Sequence, residues 1–438
     1  MEYIISQKSS SLKGTLKVPG DKSISHRALI ITSMCIGTSK IDGLLESEDV
    51  FSTMKALKSL GVNIKLKNKS YFVEGVGVCG FKTPNNFIDL GNSGTGIRLL
   101  LGAIMGSNIT VNFKGDTSLS KRPMERVLTP LRLMGANIIS SNEGKLPLSI
   151  EGPKEVLPIK YISKISSAQI KSSVLLSGLS ASGKTIFIEP NESRSHTEKM
   201  LSRFGAKISS KMLVNGSNLI ELHGRPNLIS RSISVPSDPS SASFPIVASL
   251  ITPNSKVELH DIMINHARNG LFETLQEMGA KLKIFNEKKV NNEVTASIYA
   301  EYSQLKGLSV PPERAPRMID EYPILSMAAA CAEGHTIMNG ISELRVKESD
   351  RIKIVSNGLN KVGIETIEKT DSLEICGGPI RGGCTIDSEL DHRIAMSFLI
   401  LGLVSNKPIK VLRSSTIMTS FPNFFEMMLN LGSRFIKG

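Results

Sequence analysis

Tryptophan is absent from the chain, and its 15 Phe and 6 Tyr are dispersed, so no aromatic platform for stacking nucleobases can be assembled. No uncharged apolar run of about 18 residues occurs, which removes a membrane-spanning helix from consideration. Five cysteines, Cys35, Cys79, Cys331, Cys376 and Cys384, are odd in number and never spaced C-x-x-C. That pattern argues against a disulfide frame and a cysteine zinc site and leaves all five as packing residues. The opening MEYIISQKSSSLKG lacks a basic start, an apolar core and a small-residue cleavage site, so no secretory leader is expected and the cytoplasm is the expected compartment.

What is present is an excess of 53 basic over 40 acidic residues, a net +13 spread along 438 residues. Such a field favours anionic partners. Its dispersal suits small phosphorylated molecules better than a nucleic acid, which would call for a concentrated basic stripe. The length exceeds one ordinary core and predicts two to three domains.

Internal repeats organise the chain. An apolar helix ending runs into Gly and then a strand in LKSLGVNI, LRLMGANI, LSRFGAKI, LQEMGAKL, LNKVGIET and LNLGSRFI, with the glycines at 61, 135, 205, 279, 363 and 432. Gly is the expected helix stop because it enters the left-handed region without steric cost. A second signature keeps the same phase: a polar cluster opens an apolar helix at GDKSISHRALIITSM, LGNSGTGIRLLLGAIM, ISSAQIKSSVLLSGL, SDPSSASFPIVASLI, IDEYPILSMAAACAEG and LDHRIAMSFLILGL. Those helices are apolar nearly all round and should be buried. The unit reads β-α-β-α-β-β, six times over, and six units divide into two domains of three. The N-terminal three-unit domain is expected over 19–237 and the C-terminal one over 1–18 plus 238–438, with hinges near 19–20 and 236–238. An insertion around Asn286 to Glu293 predicts a surface hairpin.

Each polar opening exposes unpaired N–H groups and roughly half a positive charge, which makes it an anion site. If the helices of a domain point the same way, their openings converge; two such surfaces facing one another would form a cleft for phosphates and carboxylates. Singly, clusters such as KSISHR, RPMER and RVKESDR read as solvated helix faces, with Lys347 and Arg351 four apart on one face beside Glu348. Their joint placement in phase is what singles them out.

The segments GDKSISHRA, LGNSGTGIRLL, GDTSLSKRPM, SSAQIKSSVLLSGL, DEYPILSMAAACAEG, ELRVKESDR and LDHRIAMSF, in this order across nearly the whole chain, resemble the 5-enolpyruvylshikimate-3-phosphate synthase family of enolpyruvyl transferases. The resemblance implies an α/β fold of two domains, each an inside-out α/β prism of three βαβαββ units. It implies transfer of the enolpyruvyl group of phosphoenolpyruvate to the 5-hydroxyl of shikimate 3-phosphate, by a monomer with no metal or organic cofactor. By motif, Lys22, Ser23, Arg27, Ser167, Gln169, Ser193, Asp320 and Lys347 would hold shikimate 3-phosphate, with Arg194 an alternative to Ser193. Lys22, Asn92, Gly94, Arg122, Gln169, Arg351 and Arg393 would hold phosphoenolpyruvate, where the planar fork of arginine pairs two oxygens at once. Asp320 and Glu348 would take and give the protons, with Lys22 a third catalytic participant.

Two positions depart from the family pattern. Thr419 and Ser420 precede Phe421 and Pro422 where some members carry a lysine, and Ala168 stands where others have a second serine. The nearest rival, the enolpyruvyl transferase acting on a UDP-amino sugar, typically uses a loop cysteine, and no Cys lies between Cys79 and Cys331. A more distant rival is a phosphate-loop kinase, since GLSASGKT (178–185) satisfies G-x-x-x-x-G-K-[ST]. That loop needs a strand before it and a helix after, and the patterning here predicts the reverse. A nucleic-acid binder using the positive charge would need base-reading motifs that are not present.

Overall fold

In the computed structural model, which describes residues 2–140 and 144–438, the six repeated glycines have φ between +89° and +105°. An L side chain is strained there, so Gly ends each amphipathic helix and releases the chain into a strand. The helices concerned are Glu48–Ser59, Glu125–Leu133, His196–Arg203, Gly270–Glu277, Arg351–Lys361 and Phe424–Leu431.

Each repeat builds one four-stranded sheet, six sheets among the described residues. In the second repeat, Ile88–Asp89 pairs parallel with Thr110–Lys114, which pairs antiparallel with Leu148–Glu151, itself antiparallel to Asn137–Ser140. The helix Gly94–Ala103 is the crossover that a parallel pair requires. Three sheets are completed by strands distant in sequence. Ile233–Ser234 lies parallel to Ile36–Asp42, and Lys13–Leu16 lies parallel to Lys256–Met263. Tyr3–Gln7 runs antiparallel between Ile409–Leu412 and Arg434–Lys437. The chain therefore starts inside its last repeat and interrupts its fourth.

The interruption divides the chain into two units: an inserted unit, Lys22–Val235, and a terminal unit, Met1–Asp21 with Pro236–Gly438. In the terminal unit the two crossing segments pair with each other, Asp21 N–H donating to the Pro236 carbonyl at 2.8 Å and Asp238 N–H to the Pro19 carbonyl at 2.9 Å. The second signature forms the core helices. Every residue of Pro239–Ile251, Tyr322–Ala330 and His392–Gly402 is buried, and the three pack pairwise in the terminal unit. Lys22–Ser33, Gly94–Ala103 and Ala168–Gly178 are the counterparts in the inserted unit. Burial of each large aliphatic side chain contributes about 1.5–3 kcal/mol, which explains helices of this composition at the centre rather than the rim. The α/β fold of two three-unit domains expected from the repeats is the fold observed.

The insertion is a hairpin of Lys281–Val290 and Glu293–Glu301, turned by Asn291 and Asn292 at φ +50° and +66°, as a two-residue hairpin turn demands. GLSASGKT joins the end of a helix, Ala168–Gly178, to the strand Lys184–Glu189, the reverse of a phosphate loop. No helix among the described residues is long and apolar enough to cross a membrane. Two expectations are corrected. Cys79 is exposed, not packed. Residues 345–351 do not form one helical face: Ser342–Val346 is a 3-10 turn, and the next helix opens at Arg351 with the Asp350 side chain accepting from Lys353 N–H as its cap.

Candidate active site

In the inserted unit, side chains of the first two turns tie the three buried helix openings together. Arg27, 1% exposed, donates to Ser23 Oγ at 2.7 Å, Ser172 Oγ at 2.7 Å and Thr197 Oγ1 at 2.8 Å. It thereby joins the Lys22–Ser33 opening to the Ala168–Gly178 helix. Gln169 accepts from Arg98 Nη1 at 2.9 Å and donates to Thr95 Oγ1 at 3.0 Å, which joins the Gly94–Ala103 opening to the same helix. Ser93 and Ser167 cap their helices through their side chains, accepting from Gly96 and Ile170 N–H. The convergence expected within a domain is thus present here.

On that surface Lys22 Nζ is 3.0 Å from Asp49 Oδ2 and stays partly open to solvent. Asn92 accepts from Arg122 Nη2 and donates to Asp116 Oδ2 at 2.8 Å. Gly94 is needed by its neighbours: a Cβ there would come within 2.8 Å of Arg122 Nη1 and 3.2 Å of Arg98 Nη1. Two guanidiniums therefore crowd one helix start, a strongly anion-attracting arrangement. Arg98 was not among the sequence candidates. Its place in LGNSGTGIRLL, one turn after the cap, is the signal that could have found it.

Ser193 and Arg194 behave differently. Ser193 Oγ donates to Glu189 Oε2 at 2.6 Å and its N–H to Glu189 Oε1 at 3.0 Å. Its hydroxyl is engaged inside the unit, and Arg194 beside it is half-exposed.

In the terminal unit the acidic and basic candidates interlock. Arg351, 1% exposed, donates through Nε to Asp391 Oδ2 at 2.8 Å and through Nη2 to Glu348, and its Nη1 lies 3.6 Å from Asp320 Oδ1. Burial opposes its charge, but Asp391, Glu348 and Asp320 outweigh burial and raise its pKa. Lys347 Nζ is 3.7 Å from Asp320 Oδ1. Arg393 Nη1 donates to the Asp320 carbonyl at 2.9 Å. Asp391 also caps the His392–Gly402 helix, accepting from Arg393 and Ile394 N–H. Thr419 Oγ1 lies 3.3 Å from His392 Nδ1, so this uncharged residue stands beside the cluster.

A second buried cluster, absent from the sequence candidates, lies at the opening of Pro239–Ile251. Arg268 donates to Asp21 Oδ2 at 2.9 Å, Asp238 Oδ1 at 3.1 Å and Ser240 Oγ at 2.7 Å; Ser240 Oγ in turn donates to Glu321. Burial and the Asp21 carboxylate push Asp238 up to about 6 against the pull of Arg268 and Arg393. An unfolded Asp titrates near roughly 3.9, so the native state holds the extra proton between these values. Its contribution is present below about pH 4 and lost as pH rises to about 6. Asp238→Asn keeps an acceptor for the helix cap. It is expected to flatten the decline of Tm between about pH 4 and 6; a thermal-unfolding series that keeps the wild-type slope would refute this.

The resemblance to known proteins extends over the whole chain. A family model described as EPSP synthase (3-phosphoshikimate 1-carboxyvinyltransferase) matches residues 6–428. The chain is 49% identical over 432 residues, 98% of its own length and 97% of the relative's, to a 3-phosphoshikimate 1-carboxyvinyltransferase of Rhodopseudomonas palustris. Against one of a Ruegeria species it is 49% identical over 437 residues, 99% and 97% of the two lengths. EPSP synthase from Acinetobacter baumannii is similar in structure, with TM-score 0.88 and 41% identity over 100% of both chains.

Proposed function

This chain belongs to the EPSP synthase family, and from that premise we propose which of its residues perform the family's reaction. The chain transfers the enolpyruvyl group of phosphoenolpyruvate to the 5-hydroxyl of shikimate 3-phosphate and releases phosphate, a step of aromatic amino-acid biosynthesis on the way to chorismate. The alternatives, a UDP-amino-sugar transferase and a phosphate-loop kinase, are not favoured.

In our reading Lys22, Asn92, Gly94, Arg122, Gln169, Arg351 and Arg393 bind phosphoenolpyruvate. Lys22, Ser23, Arg27, Ser167, Gln169, Asp320 and Lys347 bind shikimate 3-phosphate. Ser193, the expected partner in its loop, has its hydroxyl held by Glu189, and we assign the ligand contact there to Arg194, whose planar guanidinium can pair two phosphate oxygens at once. Arg27 is engaged by Ser23, Ser172 and Thr197 and would reach a ligand only by exchanging one of those bonds.

The chemistry follows from the acids. The 5-hydroxyl oxygen bonds to C2 of phosphoenolpyruvate while its proton passes to Asp320, whose charge Lys347 and Arg351 offset. Glu348 delivers a proton to C3, forming a tetrahedral adduct. The C2–O bond to phosphate then breaks, the phosphate leaves with the electron pair, and C3 returns a proton, leaving the enol ether. An anion bound by Arg351 competes with Glu348 for the guanidinium, which frees that carboxyl to carry the proton. Preplaced cations stabilise the departing charge. The single observation that carries the reading is the contact of Arg351 with both Glu348 and Asp320.

Because both sets of groups belong to one chain, we propose that it works as a monomer, and its phosphorylated substrates support a cytoplasmic location. The test is phosphate release from phosphoenolpyruvate with and without shikimate 3-phosphate. Release is expected only when both are present; release from phosphoenolpyruvate alone at a comparable rate would defeat the reading.

A further inference from the structure

Behind the loop carrying Arg194, the inserted unit buries an ion cluster that the proposed chemistry does not use. Lys171 is fully buried, two residues after Gln169 in the first turn of the Ala168–Gly178 helix. Its Nζ lies 2.8 Å from Glu189 Oε1 and 2.7 Å from Glu198 Oε1, and it donates to the Ser193 carbonyl at 3.1 Å. Burial opposes the ammonium charge, yet Glu198 and Glu189 outweigh burial and raise its pKa. Glu189 in turn accepts from the N–H and the hydroxyl of Ser193 and from Asn218 Nδ2 at 3.1 Å. The amide, hydroxyl and carbonyl of Ser193 are therefore all held by one buried Lys–Glu pair.

A second tie lies two residues upstream. Ser166 Oγ accepts from Asn191 N–H at 2.9 Å and donates to the Asn191 carbonyl at 2.8 Å. Both anchors stand at the opening of the helix that also presents Ser167 and Gln169. The loop is thus registered residue by residue against that opening, and the direction in which the backbone releases Arg194 is set by Ser193.

Stability alone does not account for such a cluster. Buried ion sets can often be replaced by packed apolar groups with little loss, because desolvation offsets their attraction. A fixed backbone beside a ligand-binding arginine is what the arrangement does provide, and preorganisation of that kind lowers the ordering cost of binding.

We infer that Lys171 and Glu189 are positioning residues for shikimate 3-phosphate, locking Ser193 so that Arg194 is aimed at the phosphate of that substrate. The inference rests on the proposed role of Arg194. Glu198 touches Lys171 but is not bonded to Ser193, which makes it the internal control.

The experiment compares Glu189→Gln, Lys171→Met, Glu198→Gln, Arg194→Ala and the double variant Glu189→Gln/Arg194→Ala in steady-state assays, with Tm recorded for each. Glu189→Gln is expected to raise KM for shikimate 3-phosphate about tenfold, the effect of one charge-assisted contact, with kcat and KM for phosphoenolpyruvate within about threefold. Lys171→Met should do the same if it folds; Glu189→Gln and the double variant decide the matter if it does not. Glu198→Gln should leave KM for shikimate 3-phosphate unchanged. The double variant should be no worse than Arg194→Ala alone, since residues acting through one another are not additive. Additive effects, or equal rises in both KM values, would overturn the positioning role and leave the Arg194 assignment standing. Wild-type KM in Arg194→Ala would overturn that assignment and the inference with it.

Discussion

Glu348→Gln is expected to lower kcat by roughly two to four orders of magnitude, the range over which a positioned proton donor contributes, while Tm stays within a few degrees of wild type. Glutamine keeps the length of the side chain and an oxygen that can accept from Arg351 Nη2. It has no proton to give to C3. The binding cations are untouched, so KM for both substrates should change by no more than about threefold, the pattern of an interaction made only in the transition state. Asp320→Asn should behave in parallel, because an amide cannot take the proton of the 5-hydroxyl. Retention of more than a tenth of kcat by Glu348→Gln would move the proton-donor role to another group. Lys22, in the other unit, would be the next to test.

How far this site could be read in advance depends on what kind of interaction makes it. The helix stops were legible because Gly61, Gly135 and their four counterparts answer a local backbone need, and the core helices because their composition leaves no polar face. The hairpin around Asn286 to Glu293 was legible as extra length between Gly279 and Gly363 rather than as a local need. Lys22 and Asp320 stood out because polar residues gather repeatedly at the mouths of apolar helices, whereas Arg122 and Arg351 stood out only because RPMER and RVKESDR keep phase with the repeats and match the family's motifs. Residues whose meaning lies in a distant partner were missed. Arg268 meets Asp21 across 247 residues of chain, and Arg98 meets Gln169 across 71. In sequence each is one more basic residue among 53. Lys171 is hidden the other way, standing at a helix position indistinguishable from a solvated one until Glu189 and Glu198 are seen beside it. The 345–351 segment misled because charge spacing of four suggests a helix, whereas Asp350 acts as a cap and starts the helix only at Arg351.

Arg268→Met should produce the largest loss of stability in the terminal unit, about 3–5 kcal/mol, the usual consequence of removing one partner from a buried charge set. The guanidinium is 2% exposed and Asp21 1%. Burial opposes its charge, but Asp21, Asp238, Glu321 and Asp320 outweigh burial and raise its pKa. Methionine fills similar length without charge, so the loss reports stranded carboxylates more than lost packing. Two consequences separate those causes. First, the deficit in urea or thermal unfolding should grow between about pH 5 and pH 8, because stranded carboxylates can escape their penalty by binding protons at the acid end. Second, Arg268→Met/Asp21→Asn/Asp238→Asn should recover most of the loss, since neither carboxylate that Arg268 bonds directly is then left charged and buried, and Asn at 238 still accepts from Ser240 N–H as the helix cap. A triple variant as unstable as the single one, with a deficit that does not change with pH, would show that shape and not charge holds the paired crossing segments in place.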